Sequence, residues 1–175
     1  MQTVQKTGAL FRHNSKNGIN LFTFFHNSDI ILIVVPSKVY RQNIKNFKPY
    51  IKENASIIIC SKGLEDETLL TLSEVTEQEL PNNKIGVLSG PSHAEEVARN
   101  LPTTIVLSSK DIDIINKLRD IFASDVFRVY TSADIIGVEV GGSLKNILAL
   151  STGIVFGLGY GDNTFAAIIT RGLKE

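Results

Sequence analysis

The feature that most constrains this chain is a repeated succession of short apolar runs and longer amphipathic stretches. Between Ser28 and Pro36 lies DIILIVV, β-branched almost throughout, which is the composition of a strand buried on both faces. Lys38 to Phe47 reads as a helix. Ala55 to Ser61 (ASIIICS) gives a second buried strand, and Asp66 to Leu80 a second helix, ended by Pro81. Lys84–Ser89 is a third strand, Ser92 to Asn100 a short helix and Thr103–Ser108 a fourth strand. Asp111 to Phe122 is then a helix and Val126–Thr131 a fifth strand. Alternation at this spacing predicts an α/β fold with a mostly parallel sheet covered by helices.

The texture changes after Thr131. Ala133 to Phe156 reads as one long helix with no strand after it, and Asn163 to Glu175 as the start of another. Three stretches result: an N-terminal lead over 1–27, a sheet domain over 28–132, and the beginning of an all-helical domain over 133–175. Glycines at 153, 157, 159 and 161 are expected to loosen the end of the long helix, and Asp162 or Asn163 to cap the next.

Composition removes several classes of function. Lys+Arg and Asp+Glu number 18 each, so the net charge is zero and no general field draws nucleic acid or an anionic membrane. An anionic ligand must be met by a few placed cations. Uninterrupted apolar runs such as Ile30–Val35 are far shorter than the ~20 residues of a membrane span, so no membrane insertion is expected. Cys60 is the one cysteine, which fits a reducing compartment and leads to the expectation of a cytoplasmic protein. It lies in an apolar strand without a partner histidine and reads as core. His13, His26 and His93 lack metal-ligand spacing, so no metal is expected. Nothing in the sequence opposes a homodimer.

In parallel sheets of this kind ligands bind beyond the carboxyl ends of the strands. That rule singles out Pro36-Ser37, Ser61-Lys62-Gly63 and Ser89-Gly90-Pro91-Ser92. Ser92-His-Ala-Glu95 has the form of a capping box, and the free N–H groups of such a helix start suit a phosphate. A purely structural cap is the other reading. Lys62 can meet an anion, or it can be a solvated lysine in a turn. Lys145 sits in Gly-Gly-Ser-Leu-Lys-Asn (141–146), with Gly141 and Gly142 one turn before it and Ala149 one turn after. Glycine in a helix interior costs roughly 1 kcal/mol relative to alanine, so this pair asks for a reason. Either the lysine rises from a face stripped of bulk, where a small molecule reaches its ammonium, or two helices pack closely there and Lys145 snorkels out.

The segments DIILIVVPS from Asp29, SKG from Ser61, LSGPSHAEEVA from Leu88, VFRVYTSADIIGVEVGGSLKNILAL from Val126 and GYGDNTFAAIITRGL from Gly159 together resemble the bacterial NAD(P)-dependent glycerol-3-phosphate dehydrogenases. The resemblance runs from about Ser28 to Glu175. It implies a Rossmann-like domain followed by the start of a helical substrate domain. It also implies NAD or NADP as cofactor, and reversible hydride transfer between NAD(P)H and dihydroxyacetone phosphate giving sn-glycerol 3-phosphate for phospholipid synthesis. Carried over by the matching motifs, Lys145 is the proton donor or acceptor at the carbinol oxygen, and Lys62 contacts cofactor and substrate. Gly90 and Ser92 contact the substrate, and Ala94 the cofactor.

Two departures shape the expectation for activity. The family opens on a strand and a G-x-G-x-W-G loop, whereas residues 1–27 hold only Gly8 and Gly18. The sequence also stops before the family's Asp and Ser-Arg-Asn cluster. The chain is therefore expected to be inactive by itself. A non-catalytic remnant that binds a ligand or partner is the competing function. A β-hydroxyacid or 6-phosphogluconate-type reductase shares the general plan, but GPSHAEEVA and NTFAAIITRG argue against it.

Overall fold

A computed structural model describes residues 25–174. The expectation of an atypical lead over 1–27 falls almost wholly outside them. Five strands form one sheet in the order β1 (Ile30–Ile33), β2 (Ser56–Ile59), β3 (Lys84–Ser89), β4 (Thr103–Ser108) and β5 (Phe127–Ser132). The helices are α1 (Tyr40–Phe47), α2 (Leu72–Glu79), α3 (Ala94–Ala98), α4 (Ile112–Phe122), α5 (Ile135–Gly157) and α6 (Asp162–Lys174). The mostly parallel sheet is present: β1–β2, β2–β3 and β4–β5 are parallel, while β3–β4 is antiparallel. That one reversal pairs the last three residues of β3 with the last three of β4, with Ser89 opposite Val106.

Side-chain alternation along the strands divides the core into two layers. Ile31, Ile33, Ile57, Ile59, Ile85 and Val87 face α1 and α2, which contribute Tyr40, Ile44, Leu72 and Val75. Ile58, Ile105, Leu107 and Val129 face α4 through Ile114, Ile115 and Leu118. β2 is thus buried on both faces, as its isoleucines imply. β1 is not. Leu32 is 46% exposed and Val34, just past the strand, 62%, because β1 ends the sheet among the described residues and α4 covers the second face beyond it.

The helix expected over Asp66–Leu80 begins later, at Leu72. Glu65 to Leu70 instead forms a loop, with Leu69 at φ 57° and a bridge between Leu64 and Thr71 closing it. Thr71 then caps α2 in a full capping box with Glu74. The box expected at Ser92 and Glu95 does not form. The five-residue α3 starts at Ala94 with His93 at its cap and no side-chain cap bond, which leaves Ser92 one residue too early. The long helix reaches Gly157 through Gly153, so the glycines loosen only the turn after it, where Gly159 takes φ +75°.

Arg41 ties α1 to that loop and to α2. It donates to both carboxylate oxygens of Glu65 (2.7 Å each) and to Glu79 (2.8 Å). These bonds hold the Glu65 carboxyl down from 4.5 to about 2. A carboxyl depressed in the folded state stabilises above its unfolded pKa and loses that contribution as pH falls through the folded one. Arg41→Ala is expected to cost about 1–3 kcal/mol near pH 7, the range for charge-assisted bonds allowing for partial exposure. The difference from wild type should shrink between pH 4.5 and about 2 in urea titrations at stepped pH.

Candidate active site

The loops after β1, β2 and β3 meet at one end of the sheet, where α5 crosses. Gly63, at φ +119°, stands against Ser37, so the first two loops touch: a Cβ there would lie 2.8 Å from the Ser37 Oγ. Lys62 reaches from the second loop to the third and donates to the carbonyl oxygen of Gly90 at 3.1 Å. Gly90 itself has φ +149°, and its missing Cβ lets the turn lie against the backbone of Thr104 and Ile105.

Asp134 sets the start of α5, its Oδ1 accepting from the Gly137 N–H at 2.8 Å. Ile135 is buried in the core of the first layer, which pins the first turn to the sheet. Val138, Gly141, Gly142 and Lys145 then share a face at helical spacing and line a cleft of about 320 Å³ with Lys62, Ser89, Gly90, Pro91 and Val106. The two glycines do different things. A Cβ on Gly142 would come within 2.8 Å of Ser89 Oγ, so this glycine permits the close approach of α5 to β3; Gly141 has nothing within 4 Å and leaves the cleft open. The close packing at this pair is of helix on strand, not of helix on helix, and it involves Gly142 alone.

Lys62 and Lys145 converge in this cleft. Burial, and then hydrogen bonding and repulsion from Lys145, hold Lys62 below the usual lysine range, against a smaller opposing effect of Cys60. Two neighbouring ammonium groups with no carboxylate among the lining residues make a site for an anion. Of the residues expected to gather here, Lys62, Gly90 and Lys145 do. Ser92 and Ala94 do not line the cleft; they follow Pro91 at its rim, Ser92 exposed with a long 3.5 Å bond to the Gly90 carbonyl. Cys60 is core, as expected, its thiol pushed up to about 12 by burial.

The strand-end rule points to Ser89, but sequence reasoning missed Val106, Gly137 and Val138. The last lies two turns before Lys145, and that spacing was a usable signal. It also missed Glu139, whose one clue was an acidic residue inside an apolar helical stretch.

On its far side Lys145 lines a second, apolar cavity of about 560 Å³ between α5 and α6, with Leu148, Phe156, Phe165 and Ile169. Ile147, Leu150, Ile154 and Phe156 are exposed, and by length and apolarity α5 alone among the described residues reaches the dimensions of a membrane span. Its first half is nonetheless tied to the sheet and to α2 through Ile135 and Glu139.

Two family models match the chain. One, the NAD-dependent glycerol-3-phosphate dehydrogenase N-terminus, covers residues 7–115, and the other, the C-terminus of the same family, covers residues 134–175. The chain belongs to the NAD-dependent glycerol-3-phosphate dehydrogenase family. Glycerol-3-phosphate dehydrogenase [NAD(P)+] of Fusobacterium nucleatum is 51% identical over 158 residues, which are 89% of this chain and 47% of the relative. That of Clostridium perfringens strain SM101 is 51% identical over 86% of this chain and 45% of the relative. The crystal structure of glycerol-3-phosphate dehydrogenase from Coxiella burnetii superposes with a TM-score of 0.80 at 43% identity, over 89% of this chain and 47% of that one. The chain spans about half the length of the curated relatives it matches.

The family is one of oxidoreductases that use NAD(P). The cleft is at the small end of ligand pockets, which run roughly from 300 to 1,000 Å³. The described residues contain no G-x-G-x-x-G loop for a pyrophosphate.

Proposed function

We propose that this chain carries the proton-transfer half of an NAD(P)-dependent glycerol-3-phosphate dehydrogenase site, interconverting dihydroxyacetone phosphate and sn-glycerol 3-phosphate. The convergence of Lys62 and Lys145 in one cleft at the strand ends carries this reading. When bound, NAD(P)H supplies a hydride to the carbonyl carbon. Lys145 gives a proton to the carbonyl oxygen as negative charge develops there, and takes it back in the reverse direction. Lys62, fixed by the Gly90 carbonyl, meets the anionic substrate and the nicotinamide end of the cofactor. Gly90 and Ser92 border the substrate, and Ala94 the cofactor.

Residues 28–132 act as the dinucleotide-binding part, 133–175 as the beginning of the helical substrate part, and 1–27 as a lead to both. The product serves phospholipid synthesis in the cytoplasm, and a homodimer is the assembly proposed.

The 175-residue chain by itself is expected to turn over negligibly. A glycine loop at a helix N-terminus gives a pyrophosphate several charge-assisted bonds, each worth about 1.5–3 kcal/mol. Two missing bonds weaken cofactor binding by roughly two to four orders of magnitude. Following NADH and NADPH oxidation with dihydroxyacetone phosphate, for this chain and for one extended to its relatives' length, tests this. Turnover by the short chain would show that its cofactor is held elsewhere. Silence from both chains, with ligand still bound to the cleft, would favour a non-catalytic binding module.

A further inference from the structure

A physical chain links the two lysines, and Glu139 is its central link. Glu139 is 7% exposed, and its carboxylate faces the start of α2. Oε1 accepts from the Ser73 N–H at 2.9 Å, and Oε2 accepts from the Ser73 hydroxyl at 2.5 Å. Ser73 is the second residue of α2, so the carboxylate also lies at the positive end of that helix dipole. On the other side of α2's cap, Thr71 bridges back to Leu64, two residues beyond Lys62. On α5, Val138, Gly141, Gly142 and Lys145 occupy the helical face next to Glu139. Turning α5 about its axis would carry Lys145 out of the cleft, and the paired bonds to Ser73 oppose that rotation.

We infer that Glu139 is a positioning residue, whose bonds to Ser73 fix the rotation of α5 on α2 and so hold Lys145 beside Lys62. The inference deepens the proposed function, since it rests on those lysines as the working pair. Burial pushes the Glu139 carboxyl up, while the Ser73 bonds and Thr71 pull it down and the nearby Glu74 adds to the rise. An acid held in so unfavourable a place against two directed donors marks a contact that fixes geometry.

The test needs neither cofactor nor turnover, so its outcome is separate from that of the activity assays. Competitive acetylation of the 175-residue chain across pH, read by mass spectrometry, reports the acidity of Lys62, which burial raises first and Lys145 after it. Lys145→Ala should slow acetylation of Lys62 several-fold near pH 8, because the amine regains its proton. Glu139→Ala should do the same with Lys145 still present. Ser73→Ala, which removes one of the two donors, should give a smaller change in the same direction. Glu139→Gln, able to accept from the Ser73 N–H, should restore the wild-type rate. Circular dichroism checks folding, and if Glu139→Ala does not fold, Ser73→Ala and Glu139→Gln decide. Lys62 acetylating at the wild-type rate in folded Glu139→Ala or in Ser73→Ala, or failing to respond to Lys145→Ala, would overturn the inference.

Discussion

Lys145→Met, in a protein extended to the length of its relatives, is expected to lower kcat for dihydroxyacetone phosphate reduction by about two to four orders of magnitude, the usual value of a placed general acid. Methionine keeps the unbranched apolar body that packs between the cleft and the α5–α6 cavity, so the fold should survive. KM should change less than kcat, because the proton moves only as charge develops on the substrate oxygen. Lys145→Arg separates chemistry from simple charge. A guanidinium keeps the positive charge but does not release a proton near neutrality. Steady-state kinetics of the three proteins with saturating NADH and NADPH would show it. A fully active arginine variant would reduce Lys145 to an electrostatic role.

How much of this was legible in sequence depended on whether local and tertiary preferences agreed. Lys84–Ser89 and Thr103–Ser108 could be read to the residue, because their apolar runs are bounded by polar or turn residues and buried much as their pattern implies. The two capping-box patterns show the opposite case. Thr71-Leu-Ser-Glu74 and Ser92-His-Ala-Glu95 have the same local form, yet only the first caps a helix. Leu72 and Val75 are driven into the core, at 1% and 0% exposure, whereas no residue of α3 is buried. Packing, rather than the local pattern, decided which of the two boxes closed on its helix.

The direction of β4 and the bare face of β1 left no local mark, because both depend on which elements lie alongside. The site was legible through its strand-end loops and its glycines. The Ser73–Glu139 contact joins residues 66 apart, and no spacing rule connects them.

Gly90→Ala is expected to be the most damaging small substitution at the site. At φ +149° an L side chain is strained, which costs on the order of 1–3 kcal/mol before any contact is made. The new Cβ would also stand 2.9 Å from Ile105 Cα and 3.1 Å from Thr104 O. These are backbone atoms of β4, held in register with Ser89 and Val106 opposite each other, so relief requires moving a strand and not a rotamer. A loss of about 2 kcal/mol or more follows, seen as a Tm lower by roughly 5 °C or more in a chain of this size. The shift would carry the Gly90 carbonyl away from Lys62, so the site should loosen together with the fold. Gly141→Ala supplies the contrast. Nothing lies within 4 Å of that position, and replacing a glycine inside α5 should raise stability by about 0.5–1 kcal/mol while narrowing the cleft. Thermal melts of both variants check the pair. If Gly90→Ala melts with the wild type, the turn after β3 does not press on β4, and the geometry that places Lys62 over it is wrong.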